Sequence, residues 1–319
     1  MISHVSFADI DVSAYVIGRN CCDTLAEALD SIYAQTARVD QVVYLDDGST
    51  DASLSIAERY VGRGLQILKN DISLGIPLSR NRAVRACTRR WVAVLDADDR
   101  WHPEKIERQM AYLAAHSRVG LVGSYARVIC RNAGYCGVIT APISSEEIKD
   151  EELTRNCFVH SSVMFRRDIF EQVGGYANLP AAQDYDLMLK FSERTDLANL
   201  PEALVDYRIG GGAVSVRSRK IQMVCTARAR DEAYRRRDID RTMSDSSVAF
   251  MHGLFLSCTL FNPSIHWGVH QLLLGDPVHG RRLLRNACKE DLRSGVAARL
   301  FMMIPNAAYR TMARIWKSR

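Results

Sequence analysis

Residues 92–101 read VAVLDADDRW, four apolar positions followed by Asp96, Asp98 and Asp99. Crowded carboxylates repel one another and lose hydration energy unless a cation neutralises them. A hard divalent ion with oxygen ligands, Mg2+ or Mn2+, is the simplest such cation. Either ion takes its remaining ligands from water and substrate phosphates, so the chemistry implied is that of a phosphate ester or a diphosphate. A second reading stands beside it, in which the aspartates are solvated turn residues and a cap for a helix beginning near HPEKIERQM. Asp46 and Asp47 close QVVYLDDGS in the same way, and Asp184 lies in QDYDLMLKF at 183–191.

These carboxylates need strands and helices to bring them together. VSAYVIG, QVVYLDDGS, LQILKN and RWVAVLDADD read as strands. Between them, CCDTLAEALDSIYAQ sets Leu25, Leu29 and Ile32 at helical spacing, STDASLSIAERY begins with a serine or threonine cap, and IPLSRNRAVRAC is a third helix. Such alternation implies right-handed βαβ units in a mostly parallel sheet covered on both faces. Ligands of these sheets bind beyond the carboxyl ends of the strands, which puts LDDGS and LDADD on one rim.

With 319 residues, 47% of them hydrophobic, the chain is long enough for one large domain or one domain with an appendage. The opening MISHVSFADIDVSAYVIG lacks the basic start and unbroken apolar run of a secretory signal, and no segment stays apolar long enough to span a bilayer. A cytoplasmic location is therefore expected. The nine cysteines, odd in number and irregularly spaced, fit reduced thiols better than a disulfide framework. Cys21 with Cys22, and Cys130 with Cys136, lack the second pair that a zinc site needs. The net charge of +5 is uneven: residues 1–216 carry 23 Lys/Arg against 29 Asp/Glu, and residues 217–319 carry 19 against 8. The boundary is expected there, between an acidic domain of residues 1–216 and a basic helical region of 217–319.

In order and spacing, LDDGSTD, the Arg80 and Asn81 pair in SRNRAV, LDADD and QDYDLMLKF together resemble the family 2 glycosyltransferases over roughly residues 12–215. The resemblance implies an α/β GT-A fold, an αβα sandwich with a mostly parallel central sheet that binds a nucleotide-diphosphate sugar. It implies a nucleobase pocket at Ile17, Gly18, Arg19 and Asn20, with Asp46 and Asp47 accepting from base and ribose donors. Arg80 is then expected near the diphosphate or ribose, Asp96 at the ribose, and Asp98 at the metal with Asp99 as a second ligand or support. Asp184 matches the family's general base, which takes the acceptor's proton as its oxygen attacks C1; direct displacement inverts the anomeric configuration. For Asp184 a simple helix-capping role remains open, since Leu187 and Phe191 stand at core spacing.

HSSVMFRRDIFEQVGGY resembles the family's acceptor-side strand, turn and helix, with His160 facing the acceptor or serving structure, and Gly174 and Gly175 forming the bend before Asp184. Two positions depart from the family. Gln183 stands where relatives often carry Glu, and Gly210 of YRIGGGAVS stands where they often carry a metal-side His. The metal would then have fewer protein ligands, and the triple glycine suggests a loop able to close on the donor.

The arginine run at 228–241 is expected to form a solvated face. Near the end of the chain, Arg299, Arg310, Arg314 and Lys317 share one helical face opposite Phe301, Ile304, Ala308, Met312 and Ile315, although Pro305 breaks a straight helix. This pattern fits docking on an anionic membrane surface that presents a lipid-linked acceptor, and an ordinary core helix is the alternative.

The reading is a metal-dependent, inverting glycosyltransferase using Mn2+ or Mg2+. It moves a sugar from a nucleotide donor, UDP in the first instance, to a saccharide or lipid-linked hydroxyl in cell-surface polysaccharide synthesis. A nucleotidyltransferase is disfavoured because YVIGRNCCDTL holds no Gly-rich basic phosphate loop. A noncatalytic sugar-nucleotide-binding protein is the other alternative. Nucleic-acid binding is not expected, since no aromatic-interleaved basic motif is present.

Overall fold

In the computed structural model, which describes residues 11–130, 134–209 and 219–239, four strands form where the alternation predicts them. They are β1 (Val12–Gly18), β2 (Gln41–Asp46), β3 (Leu65–Lys69) and β4 (Trp91–Asp96), separated by α1 (Leu25–Tyr33), α2 (Ser53–Glu58) and α3 (Ile76–Ala86). They pair in parallel, β2 with β3 and β1 with both β2 and β4. Side chains alternate across a strand. Val12, Ala14 and Val16 of β1 therefore enter one core with Leu25, Ala28, Leu29 and Ile32 of α1, while Tyr15 enters the other with Ala83 and Val84 of α3. Each fully buried Leu or Ile on these faces stabilises the sandwich by about 1.5–3 kcal/mol.

The chain continues through β5 (Arg100–Trp101), α4 (Lys105–Ala115), β6 (Val119–Cys130), β7 (Gly134–Ile139), α5 (Ser145–Glu151), β8 (Met164–Arg166), α6 (Arg167–Gln172), α7 (Gln183–Ser192), β9 (Asp196–Ile209) and α8 (Arg219–Arg236). The nine-stranded sheet runs β3-β2-β1-β4-β8-β6-β9-β5, with β7 on β6. Beyond β4 it turns antiparallel: β8 opposes both β4 and β6, and β5 opposes β9. The sheet is thus mixed. Regular alternation of strand and helix stops after β4, and with it the crossovers that parallel pairing requires.

The chain divides into two units, residues 1–127, 138–208 and 220–240 in one, and 128–137, 209–219 and 241–319 in the other. Both cores and the candidate site lie in the first. Also in this unit, Cys225, Ala229 and Ala233 of α8 pack on Leu179, Tyr185 and Leu189. The arginine run is not simply a solvated face, because Arg236 pairs with Glu193 at 2.8 Å and Arg237 with the buried Glu152 at 2.7 Å. The expected boundary after 216, Gly210, and the amphipathic segment with Arg299, Arg310, Arg314 and Lys317 lie outside the described residues.

Three local expectations are corrected. Helix α2 takes no cap from a Ser or Thr side chain; Asp51 instead accepts the Ser53 N–H at 2.9 Å. The strand β5 separates the Asp96 cluster from α4, whose N-cap is Glu104, so the aspartates do not cap that helix. Cys21, Cys22, Cys87, Cys157 and Cys225 are free thiols, whereas Cys136 is disulfide-bonded. Among the described residues no helix is long and apolar enough to cross a membrane.

Candidate active site

Strand register assembles the rim. Gly18 pairs with Asp46 and Ile17 with Asp96, so the loops after β1, β2 and β4 emerge side by side at the carboxyl edge. A Cβ on Gly18 would lie 2.4 Å from Cys21 Sγ and 3.3 Å from the Tyr44 hydroxyl, which leaves room only for hydrogen. Arg19 and Asn20 are exposed. Asn20 sits in the left-handed region at φ 53°, accepts the Thr50 N–H at 2.8 Å and donates its own N–H to Ser49 Oγ at 3.0 Å. The first two loops are thereby tied together. Asp46 is fully buried and accepts from the Ser49 N–H at 2.9 Å and the Tyr44 hydroxyl at 3.2 Å.

Asp47 is engaged by the loop that follows β3. It accepts from Asn70 Nδ2 at 2.7 Å, Ser73 Oγ at 2.7 Å, Ser79 Oγ at 2.8 Å, and the N–H groups of Leu74 at 2.8 Å and Gly75 at 3.1 Å. A carboxylate offers about four lone-pair sites, so these five donors saturate it. Burial opposes its charge, but the hydrogen bonds from Asn70, Leu74 and the serines prevail and hold its pKa below the ordinary range. Asp47 anchors the loop that leads into α3.

After β4, the carboxylates separate into distinct environments. Asp96 accepts from Arg80 Nη2 at 2.7 Å on one oxygen and lies 3.4 Å from His160 Nδ1 on the other. Burial works against its charge; Arg80 first and His160 second outweigh it and hold Asp96 far below the usual carboxylate range. Arg80 is itself buried, stands 5.6 Å from the Tyr176 ring centroid, and its Nε has no hydrogen-bond partner among the described residues. Asp99 is 2% exposed, accepting from Ser161 Oγ and from the Arg208 N–H at 2.8 Å. Burial, then Asp98 and Asp96, push its pKa up. Asp98 alone of the three is exposed, and no described residue pairs with its carboxylate. Desolvation and then the charge of Asp96 nonetheless raise its pKa to about 6.

Asp184 stands in the first turn of α7, half-buried, accepting from Asn156 Nδ2 at 3.2 Å. It is not a capping side chain, since the N-cap is Ala182. That residue holds the left-handed conformation at φ 54°, a strained geometry of the kind found at functional sites. Leu187 and Phe191 are fully buried, as their spacing predicts, and Gln183 is buried with no partner for Oε1 among the described residues. Gly174 at φ 80° and Gly175 at φ 69° make the expected bend. Asn81 clips it on both sides, donating to the Tyr176 carbonyl at 2.8 Å and accepting its N–H at 2.9 Å. His160 faces inward, 2.9 Å from the Tyr176 hydroxyl, which lies 2.7 Å from that of Tyr15.

Sequence reasoning missed Ser161, Tyr176, Tyr15 and Asn156. Their partners are remote in sequence, and none stands at a spacing that marks a contact. Among the described residues no group of three or more His, Cys, Asp or Glu side chains could enclose a metal. A single exposed hard-oxygen donor, Asp98, does fit Mg2+ or Mn2+ completed by phosphate oxygens and water.

Residues 13–174 match the sequence model described as glycosyl transferase family 2. The amylovoran biosynthesis glycosyltransferase AmsE of Erwinia amylovora is 31% identical over 198 residues, 61% of this chain and 74% of AmsE. A UDP-Gal:alpha-D-GlcNAc-diphosphoundecaprenol beta-1,3-galactosyltransferase of Escherichia coli is 29% identical over 189 residues, 58% of this chain and 68% of the relative. Among solved structures, the mannosyltransferase PcManGT from Pyrobaculum calidifontis, in complex with GDP-Man and Mn2+, aligns with a TM-score of 0.57 at 17% identity over 95% of this chain and 84% of its own.

Proposed function

The chain belongs to glycosyl transferase family 2, and from that premise we propose that it transfers a sugar from a nucleoside diphosphate, UDP in the first instance, to a hydroxyl of a saccharide or lipid-linked acceptor, with inversion. The observation that carries the proposal is the shared rim: Asp46 ends β2 and Asp96 ends β4 on either side of β1, with the exposed Asp98 just beyond β4, while Asp184 stands in the first turn of α7. Asp98 would hold Mn2+ or Mg2+, which when bound neutralises charge developing on the departing diphosphate. The Arg80–Asp96 pair forms the floor beside it, a fixed ion pair able to orient a ribose hydroxyl. Asp184, with one oxygen engaged by Asn156, has the other for the acceptor proton as that oxygen attacks C1.

A polysaccharide or lipid-linked acceptor is supported by the names of the relatives, one in amylovoran biosynthesis and one acting on a diphosphoundecaprenol-linked sugar. Work at the cytoplasmic membrane face, with the basic end of the chain docked on anionic lipid, completes the proposal. The test is calorimetric titration of UDP, and of GDP in parallel, with and without Mn2+, on the wild type and Asp98→Ala, followed by NMR of the product's anomeric proton. Binding that Mn2+ strengthens, with that gain lost in the variant, and an inverted product are expected. A retained anomer, or no nucleotide binding under any metal condition, would overturn it.

A further inference from the structure

Resting on the donor-site reading above, we infer that Ser161 is a positioning residue for the metal-binding turn and that Asp99 is the clasp through which it acts, not a ligand. Ser161 is 1% exposed and belongs to the single helical turn His160–Ser162 before β8. Its Oγ accepts the Asp96 N–H at 3.1 Å and donates to the Asp99 carboxylate, while its carbonyl accepts Trp101 Nε1–H at 2.9 Å. One residue therefore grips both ends of the Asp96–Asp99 turn and the strand after it. The turn is also closed by its own Asp99 N–H to Asp96 carbonyl bond at 3.0 Å.

The grip is anchored from behind. Ser162 Oγ accepts the Ser124 N–H at 3.1 Å and its carbonyl accepts Gln109 Nε2 at 2.8 Å, so the turn carrying Ser161 is fixed to β6 and α4. The second oxygen of Asp99 accepts the Arg208 N–H at 2.8 Å. With both oxygens held and 2% exposure, Asp99 presents no face to an ion. Asp98 is the carboxylate between two clamped ends, and its direction is set by them. Removing the Ser161 hydroxyl leaves the Asp96 N–H and the Asp99 carboxylate without that partner in a dry site, and the turn must relax to satisfy them.

The experiment titrates Mn2+ into the full-length protein with UDP, and with GDP in parallel, for wild type, Asp98→Asn, Asp99→Asn and Ser161→Ala; nucleotide binding without metal is measured alongside. Asp98→Asn should abolish the Mn2+ response. Asp99→Asn keeps an acceptor for Arg208 and a group able to bond Ser161, and should hold half-saturating Mn2+ near the wild-type value. Ser161→Ala should raise it about 10- to 100-fold, the range typical of lost outer-shell support, with metal-free binding unchanged. Loss of the response in Asp99→Asn as in Asp98→Asn would make Asp99 a ligand and overturn the inference, as would a wild-type response in Ser161→Ala. Should Ser161→Ala fail to fold, the comparison of Asp99→Asn with Asp98→Asn decides. A wild type with no metal-dependent binding of either nucleotide refutes the donor reading itself, a result distinct from any of these.

Discussion

Asn156 Nδ2 lies 3.2 Å from Asp184 Oδ2, while Asn156 Oδ1 accepts the Phe158 N–H at 3.0 Å. The second bond fixes which way the amide faces, so its NH2 group is aimed at the carboxylate before any acceptor arrives. If Asp184 takes the acceptor proton, its orientation matters to the rate more than to donor binding. Asn156→Ala is expected to lower kcat about tenfold, within the range that positioned proton transfer contributes, and to leave the donor KM near wild type. Since Asn156 is exposed, its melting temperature should scarcely change. Steady-state kinetics with varied donor checks this, and a raised donor KM at constant kcat would count against Asp184 as the base.

Asp47 supports a different expectation. Five donors converge on this buried carboxylate, two of them backbone N–H groups at the entry to α3. In Asp47→Ala these lose their acceptor, and loss of charged hydrogen bonds in a buried setting should destabilise the protein by about 3 kcal/mol. Urea unfolding measures it. A loss under about 1 kcal/mol would mean that water replaces the carboxylate readily and that the loop is not held by it.

How much of this was legible in the sequence divides along a physical line. The parallel half was readable because period-two strands and period-3.6 helices each report only on their own neighbours, and the rim follows from the general rule for such sheets. The partners of individual aspartates were not. Asp47 and Asp46 are adjacent in the chain, and both end buried, yet one is saturated by the loop before α3 and the other accepts from Ser49 and Tyr44. Asp98 and Asp99 are likewise neighbours, and the turn after β4 leaves one exposed and buries the other against Ser161 and the Arg208 backbone, 62 and 109 positions away. In the antiparallel half only the strand and helix of HSSVMFRRDIFEQVGGY were legible, and those by resemblance: β8 is three residues long, and its partners define it.

Arg80 tests the floor of the site. Its guanidinium spans Asp96 on one side and the face of Tyr176 on the other. A lysine keeps the charge but loses the planar fork and the stacking. Arg80→Lys is therefore expected to raise the donor KM about tenfold with a smaller effect on kcat. Kinetics over a range of donor concentrations decides; unchanged constants would show that charge alone is needed at this position.

Lys105 gives a pH dependence with a definite sign. It is fully buried, with Gln109 Oε1 at 2.8 Å and the Trp101 ring centroid 4.3 Å from Nζ. The ring favours the ammonium, but burial dominates and holds the pKa well below that of an ordinary lysine. The unfolded chain then binds a proton that the folded chain does not, between the depressed folded pKa and about 10.4, the unfolded value. Stability attributable to this residue therefore rises with pH through that window and levels off above it. Lys105→Met fills the same space without a titrating group. Urea unfolding at intervals from neutral to alkaline pH should give a wild-type stability that climbs relative to the variant, other titrations being common to both. Leaving Gln109 Oε1 unpaired adds a constant cost of about 1–3 kcal/mol that does not alter the slope. Parallel curves would show that Lys105 keeps its proton and that the Trp101 ring outweighs its desolvation.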